Sequence, residues 1–142
     1  MTSKELLRQI YIIDCQIKNL LDERASITLL KSSVLDGVYV QTSRSSEPPW
    51  MKSIIEWDQL TETITRKADM LIKTKHEIIS RINSLPDARY IKLLTEKYLH
   101  YKSLEQIAEE MNYCDDHVKR LHAQAIKAFS MTINQNPGRS SR

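Results

Sequence analysis

Residues 103–129 read SLEQIAEEMNYCDDHVKRLHAQAIKAF, and this stretch decides the fold of the last third of the chain. It opens with Ser103 and has Gln106 three positions later, which is the capping-box spacing of a helix N-terminus. Apolar residues then recur at helical spacing, so the sequence predicts a short amphipathic helix. They are Leu104, Ile107, Ala108 and Met111.

A turn and a second helix are predicted to follow. Asn112 tolerates the left-handed backbone conformation that often ends a helix, so the first helix should end there. The second helix should start around Cys114–Asp115. Two short helices joined by a tight turn, the second with basic residues facing outward, are typical of a DNA-binding helix-turn-helix. The inward residues of the second helix are predicted to be Val118, Leu121, Ala125, Ile126 and Phe129.

The outward face of the second helix is the candidate DNA-binding site. Arginine can bond guanine edges and glutamine can bond adenine, so Arg120 and Gln124 are the expected base readers. Lys119 and Lys127 are expected to contact phosphate, which positions the protein without specifying sequence. The complete predicted site is Lys102, Ser103, Asp116, His117, Lys119, Arg120, Gln124 and Lys127, in which the first two residues precede the first helix and could meet phosphate through its N–H groups.

Residues 89–129 resemble the region-4 helix-turn-helix of bacterial sigma factors. Those domains have an arginine-led first helix, a Tyr-Leu pair, a Ser-x-x-x-Ile-Ala-x-x-Leu motif and a Val-Lys pair in the recognition helix. More narrowly, the chain resembles small phage and prophage regulators of the ArpU and RinA kind, which add a long helical N-terminal half, a Val-Gln-x-Ser loop and a Leu-His pair. The matching residues are Arg89, Tyr98–Leu99, Ser103, Ile107–Ala108, Met111, Val118–Lys119, Val40–Ser43 and Leu121–His122.

The resemblance implies a sequence-specific transcriptional regulator of phage or prophage genes, with late genes as the expected target. Its recognition helix, residues 115–131, would enter the major groove of double-stranded DNA, and host RNA polymerase is a candidate partner. Two departures from the family pattern matter. Cys114 replaces the usual capping Ser and is a weaker cap, a role that Asp115 could take over. Asp115 and Asp116 also bring negative charge to the end of the helix that approaches DNA.

The first two thirds of the chain contain two long apolar stripes. The first helix should run from Thr2 or Ser3 to about Lys31, and the second from Pro49 or Met51 to Asn83–Ser84. Neither stripe is stable alone in water, so the two helices should pair antiparallel. The heptad positions are Leu6, Ile10, Ile13, Ile17, Leu20, Arg24 and Ile27, then Ile54, Trp57, Ile64, Ala68, Leu71, Ile78 and Ile82.

The predicted fold is therefore all-α, with a long antiparallel, coiled-coil-like helical hairpin followed by a sigma region-4-like helix-turn-helix domain. Its ranges are 1–84 for the hairpin, with a loop at 32–51, then 85–133 for the DNA-binding domain and 134–142 for a disordered tail. Ser84 is expected to cap the helix after the hairpin. Apolar residues outside the seams, Leu7 among them, suggest a second contact surface, used for self-association or for docking of the DNA-binding domain.

Composition excludes several other classes. The only glycines are Gly37 and Gly138, so glycine-rich phosphate loops and dinucleotide fingerprints are absent. No arrangement of side chains proposes catalysis, a cofactor or a metal site, because Cys114, His117 and His122 do not form a four-ligand cluster. The net charge is +3, and the stretch from His117 to Arg142 contains five Lys or Arg residues and no Asp or Glu. Two separated cysteines and the lack of a long apolar run predict a reduced, cytoplasmic protein outside the membrane.

Two alternatives remain open. A small-terminase-like DNA-packaging protein also joins a helix-turn-helix to helical oligomerisation segments, and a ring-shaped oligomer would favour it over a dimer. A protein-interaction module could instead bind RNA polymerase or a host factor without DNA, and the two aspartates are compatible with this alternative. A homodimer through the helical hairpin is the oligomer expected of a regulator.

Overall fold

The computed structural model describes residues 2–37 and 49–135, and every regular element in these ranges is helical. No strand occurs in the described ranges, so the all-α fold class is confirmed. The elements are α1 (Ser3–Gly37), α2 (Pro49–Asn83), α3 (Ala88–Leu94), a π-helical segment (Thr95–Leu99), α4 (Leu104–Met111) and α5 (Asp115–Gln135).

The two long helices take up both ends of the predicted loop. α2 has the predicted bounds, but α1 continues six residues past the predicted end at Lys31. Serine is only moderately unfavourable inside a helix, and Val34 is half-buried, so Ser32 and Ser33 do not end it. Of the predicted loop at 32–51, both ends are therefore helical, and residues 38–48 lie outside the described residues, as does the Val40–Ser43 motif.

The third helix starts later than predicted. Asp87 is its N-cap, and one carboxylate oxygen accepts a hydrogen bond from the backbone N–H of Arg89 at 2.9 Å. Ser84 instead donates its hydroxyl to the carbonyl oxygen of Arg81 at 2.7 Å, at the end of α2, so its predicted capping role is wrong. Pro86 disfavours helical backbone in the residue before it, which moves the start of the helix to the next strong cap.

The backbone packing divides the chain into two compact units. The first joins Met1–Ile13 to Thr74–Arg142, and the second is Asp14–Lys73. These bounds differ from the predicted ranges 1–84 and 85–133, because both long helices contribute to each unit. α5 also continues to Gln135, so residues 134 and 135 are helical and not part of a tail, whereas the remaining predicted tail residues lie outside the described ranges.

In the second unit, α1 and α2 are joined by polar contacts as well as by apolar residues. Arg24 donates a hydrogen bond to the Thr65 hydroxyl at 3.2 Å, and Lys31 forms an ion pair with Asp58. Along these two contacts the residue numbers rise in α1 and fall in α2. The buried apolar side chains of this unit come from the predicted stripes and are Ile27, Ile64 and Ala68.

The first unit has a core that includes the start of α1. Leu7 and Ile10 are fully buried in this unit, together with side chains from four other helices. Of the two roles suggested for Leu7, docking onto the C-terminal helices is therefore correct. The largest fully buried side chains of the unit are Phe129, Leu7, Ile10, Ile82, Leu93, Leu94, Ile107, Leu121 and Val118.

A π-helical segment follows α3 directly. The His100 N–H donates to the carbonyl oxygen of Thr95 at 3.2 Å, which is the five-residue spacing of a π-helix. In α3, just before this segment, Leu93 is fully buried and Ile91 is half-buried.

Tyr101 ends this helical region in the left-handed conformation, with φ of 59°. The next residue, Lys102, donates its N–H to the carbonyl oxygen of Glu96 at 3.0 Å, which is the six-residue bond of a Schellman-type helix end. A non-glycine residue in this conformation costs about 1–2 kcal/mol. The Tyr101 ring packs edge-on against Tyr11 of α1, with centroids 5.3 Å apart, and this contact helps to offset that cost.

We predict that Leu7→Ala will lower the free energy of unfolding by about 2–5 kcal/mol, because it leaves a cavity in a fully buried site. Urea denaturation followed by circular dichroism measures this change. Leu29→Ala is the matched control, since Leu29 is 70% exposed and its truncation should change stability by less than about 0.5 kcal/mol. Equal effects of the two substitutions would contradict the burial of Leu7.

Candidate nucleic-acid interface

The capping box at the start of α4 is confirmed. The Ser103 hydroxyl accepts a hydrogen bond from the Gln106 N–H at 3.2 Å, and the Gln106 side-chain oxygen accepts from the Ser103 N–H at 3.0 Å. These bonds satisfy two of the backbone donors that a helix N-terminus leaves unpaired. Ile107 and Ala108 are buried on the inner face of this helix. Their burial determines which face of α4 is turned towards the core.

The turn between α4 and α5 has the predicted conformation. Asn112 is left-handed, with φ of 59° and ψ of 40°. Its N–H donates to the carbonyl oxygens of Ala108 and Glu109, and the Tyr113 N–H donates to Ala108 at 2.9 Å. Only three residues, 112–114, separate the two helices, so the direction of α5 is set by this turn.

Helix α5 packs against α3 and α4 through one apolar stripe. Every residue of this stripe is at most 1% exposed, and Ile126, also predicted to face inward, is half-buried. Burial of four such side chains fixes which side of α5 faces solvent. The stripe consists of Val118, Leu121, Ala125 and Phe129.

The opposite side of α5 is exposed and carries most of the predicted site. Three basic residues lie on this face: Lys119 and Arg120 in the first two turns, and Lys127 further along. The Gln124 side-chain oxygen accepts a long hydrogen bond, 3.5 Å, from the Tyr90 hydroxyl of α3, a contact that no sequence signal indicated. The exposed predicted residues are Asp116, Lys119, Arg120, Gln124 and Lys127.

Lys102 and His117 have intramolecular contacts of their own. The Lys102 ammonium bonds both carboxylate oxygens of Glu110, at 2.8 and 3.0 Å, and pairs with Glu96. Glu110 and then Glu96 raise the pKa of Lys102, which stays charged. His117 is half-buried, and its ring packs edge-on against Tyr113 with centroids 4.5 Å apart. These two residues therefore brace the turn region, whereas Lys119, Arg120 and Lys127 project from α5.

The start of α5 has a cysteine at its N-cap position. The carbonyl oxygen of Cys114 accepts the N–H of Val118 at 3.1 Å, so Cys114 itself precedes the first helical residue. Asp115 is the first residue of the helix and does not replace it as the cap. Asp115 and Asp116 are exposed in the first turn, where negative charge is favourable near the positive end of the helix dipole.

A polar pair on the flank of α5 was not predicted as a unit. The Tyr98 hydroxyl and the His122 Nε2 are 2.9 Å apart, and their rings stack at 5.9 Å. Burial, and then the charges of Lys4 and Lys97, lower the pKa of His122 from its usual 6.5 to about 4. Burial also raises the pKa of Tyr98. At neutral pH the histidine is therefore neutral, and the tyrosine keeps its proton.

We predict that Cys114→Ser will raise the free energy of unfolding by about 0.5–1 kcal/mol, because serine is a strong N-cap and can bond an N–H of the first turn. Thermal or urea denaturation measures the change. Cys15→Ser is the matched control: Cys15 is also an exposed free cysteine, but it lies inside α1. A higher free energy of unfolding for both substitutions, or for neither, would contradict the capping argument.

We predict that stability falls as pH drops from 6.5 towards 4, because the unfolded chain binds a proton at His122 in this range and the folded chain does not. Allowing for partial exposure, His122 should account for about 1–2 kcal/mol of this loss. His122→Gln should remove that part of the pH dependence, measured by urea denaturation at pH 7 and pH 4.5. The control His76→Gln, at an exposed position of α2, should keep the wild-type slope.

Within residues 2–37 and 49–135, no three His, Cys, Asp or Glu side chains are grouped so that they could hold a metal ion. None of the helices described here has a long enough apolar stretch to cross a membrane.

Comparison with known proteins gives no relative. The sequence matches no protein-family model, no curated protein and no solved structure.

Proposed function

We propose that this chain is a sequence-specific DNA-binding transcriptional regulator of phage or prophage genes. The observation that carries the proposal is the exposed face of α5, with Lys119, Arg120, Gln124 and Lys127 on a helix whose other side is buried. A short capped helix and a three-residue turn precede it, as in a helix-turn-helix. This arrangement suits a helix that lies in the major groove.

Each exposed side chain has a distinct part in this mechanism. Arg120 would donate two hydrogen bonds to a guanine edge, and Gln124 would bond adenine after giving up its long contact with Tyr90. Lys119 and Lys127 would neutralise phosphates on either side of the groove, which supplies affinity and a strong dependence on salt. At the N-terminus of α4, next to Ser103, phosphate would be met by the first-turn backbone N–H groups that take no part in the capping box.

The proposal assigns α1 and α2 to a long antiparallel, coiled-coil-like hairpin that supports the helix-turn-helix and serves as a dimer interface. The contacts of Arg24 with Thr65 and of Lys31 with Asp58 support the antiparallel pairing, because their order is reversed along the two helices. A dimer would place two recognition helices on two half-sites. By the resemblance to phage regulators, host RNA polymerase is the protein partner to test.

A second candidate function is a protein-interaction module that binds RNA polymerase or a host factor without DNA. The exposure of Asp115 and Asp116 favours it, since these carboxylates lie at the end of α5 that would approach the DNA backbone. Repulsion from phosphate would weaken DNA binding there. A small-terminase-like packaging protein would be recognised by a ring-shaped oligomer in solution.

We predict that the chain will select a discrete site from a pool of random DNA duplexes, and that Arg120→Ala will weaken binding to that site by about 1–3 kcal/mol because a bidentate base contact is lost. Fluorescence anisotropy at about 50 and 200 mM salt measures the affinity, which should fall with salt. Lys127→Ala should instead weaken binding to all DNA sequences alike. It should also reduce the slope of log affinity against log salt concentration by about one.

The matched control is Arg66→Ala, which removes an exposed arginine from α2 in the other unit and should leave DNA affinity unchanged. The absence of binding to any duplex at low salt would refute the regulator proposal. In that case, pull-downs with RNA polymerase test the second candidate, and the oligomer size separates it from a packaging protein.

A further inference from the structure

A surface cavity of about 600 Å³ lies within the first unit, beside the buried end of α1. Its walls come from the first three turns of α1, from the stretch that runs from the π-helical segment to the first residue of α4, and from one residue of α5. All of these residues belong to the first unit. The volume is in the usual range for small-molecule sites, which is about 300–1,000 Å³.

Positive charge dominates the lining of this cavity. Lys4, Arg8, Lys97 and Lys102 line it, and no carboxylate does. Lys102 is paired with Glu110 and Glu96, but the other three cations form no ion pair in the described part of the chain. The Thr2 N–H, which the Glu5 carboxylate accepts at 2.9 Å, and to a smaller extent the Arg8 charge lower the pKa of Glu5. Three cations therefore remain available for an anion.

The remaining walls are apolar and aromatic. Tyr98 and His122 form one side, held by their 2.9 Å contact, and the edge-packed rings of Tyr11 and Tyr101 form another. Leu7 belongs to the buried floor. A ligand that fits this lining needs an anionic group near the cations and a flat, largely apolar body that can lie against rings.

We propose that this cavity binds a nucleoside monophosphate, with Arg8, Lys97 and Lys4 around the phosphate and the base against the tyrosine rings. Guanidinium and ammonium groups form charge-assisted hydrogen bonds to phosphate oxygens, the strongest contacts available to these side chains. The neutral His122 can donate or accept a hydrogen bond beside them. This site is separate from the exposed face of α5 and does not depend on DNA binding by that face.

Isothermal titration calorimetry of the full chain with the four ribonucleoside monophosphates tests the proposal. At least one should bind, and inorganic phosphate and adenosine should each bind at least about tenfold more weakly because each lacks half of the contacts. The double variant Arg8→Gln/Lys97→Gln should weaken nucleotide binding at least about tenfold. Its control, Lys67→Gln/Lys92→Gln, removes the same charge from exposed positions outside the cavity and should remain within about twofold.

A second readout reports the phosphate directly. The His122 ring signals, followed by NMR against pH, should show a higher pKa with nucleotide bound than without it, because the phosphate stabilises the imidazolium. Thermal unfolding of both double variants establishes that they are folded.

Three results would overturn the proposal. The first is no binding of any of the four nucleotides at concentrations up to about 10 mM. A dissociation constant above this value corresponds to a binding free energy of less than about 3 kcal/mol. The second is a nucleotide affinity of the Arg8→Gln/Lys97→Gln variant equal to that of the wild type. The third is loss of duplex DNA affinity in that variant without nucleotide binding by the wild type, which would assign these cations to the DNA backbone.

Discussion

Burial of the apolar stripe on α5 is the constraint on which the C-terminal helices depend. Val118, Leu121, Ala125 and Phe129 pack against α3 and α4, so the helix has one stable rotation about its axis. The exposed face follows from that rotation, because side chains on a helix keep a fixed angular relation to the buried stripe. The candidate DNA-binding surface is thus positioned by the core beneath it, and a core change that turned the helix would redirect every exposed cation together.

The features that the sequence predicted well are those decided by nearby residues. The capping box at Ser103 and Gln106 and the left-handed Asn112 each involve atoms within one or two helical turns. The stripe of α5 follows from spacing alone. The exposed face of the candidate site could be predicted for the same reason. By contrast, the cap of α3 is Asp87 and not Ser84, because Pro86 disfavours helical backbone in the residue before it, and this effect outweighs the capping preference of serine.

The features that the sequence did not predict depend on partners far along the chain. Tyr101 adopts a left-handed conformation that its own propensity opposes, next to the ring of Tyr11. Lys102, predicted to contact phosphate, bonds Glu96 and Glu110, and Gln124 contacts Tyr90. Such contacts are invisible to spacing arguments because several helix–helix arrangements satisfy the same stripes. The chemistry of a polar side chain is therefore known only after its neighbours are.

The contact between Tyr11 and Tyr101 also has a consequence for how the protein is made. These residues are about 90 positions apart in the chain, a long separation for a helical protein. At about 5–20 residues per second of synthesis, the start of α1 leaves the ribosome several seconds before its partners exist. During that interval Leu7 and Ile10 have no core to enter. The first unit therefore completes its folding only when its last helices have been synthesised, and its earliest apolar surface is available to chaperones until then.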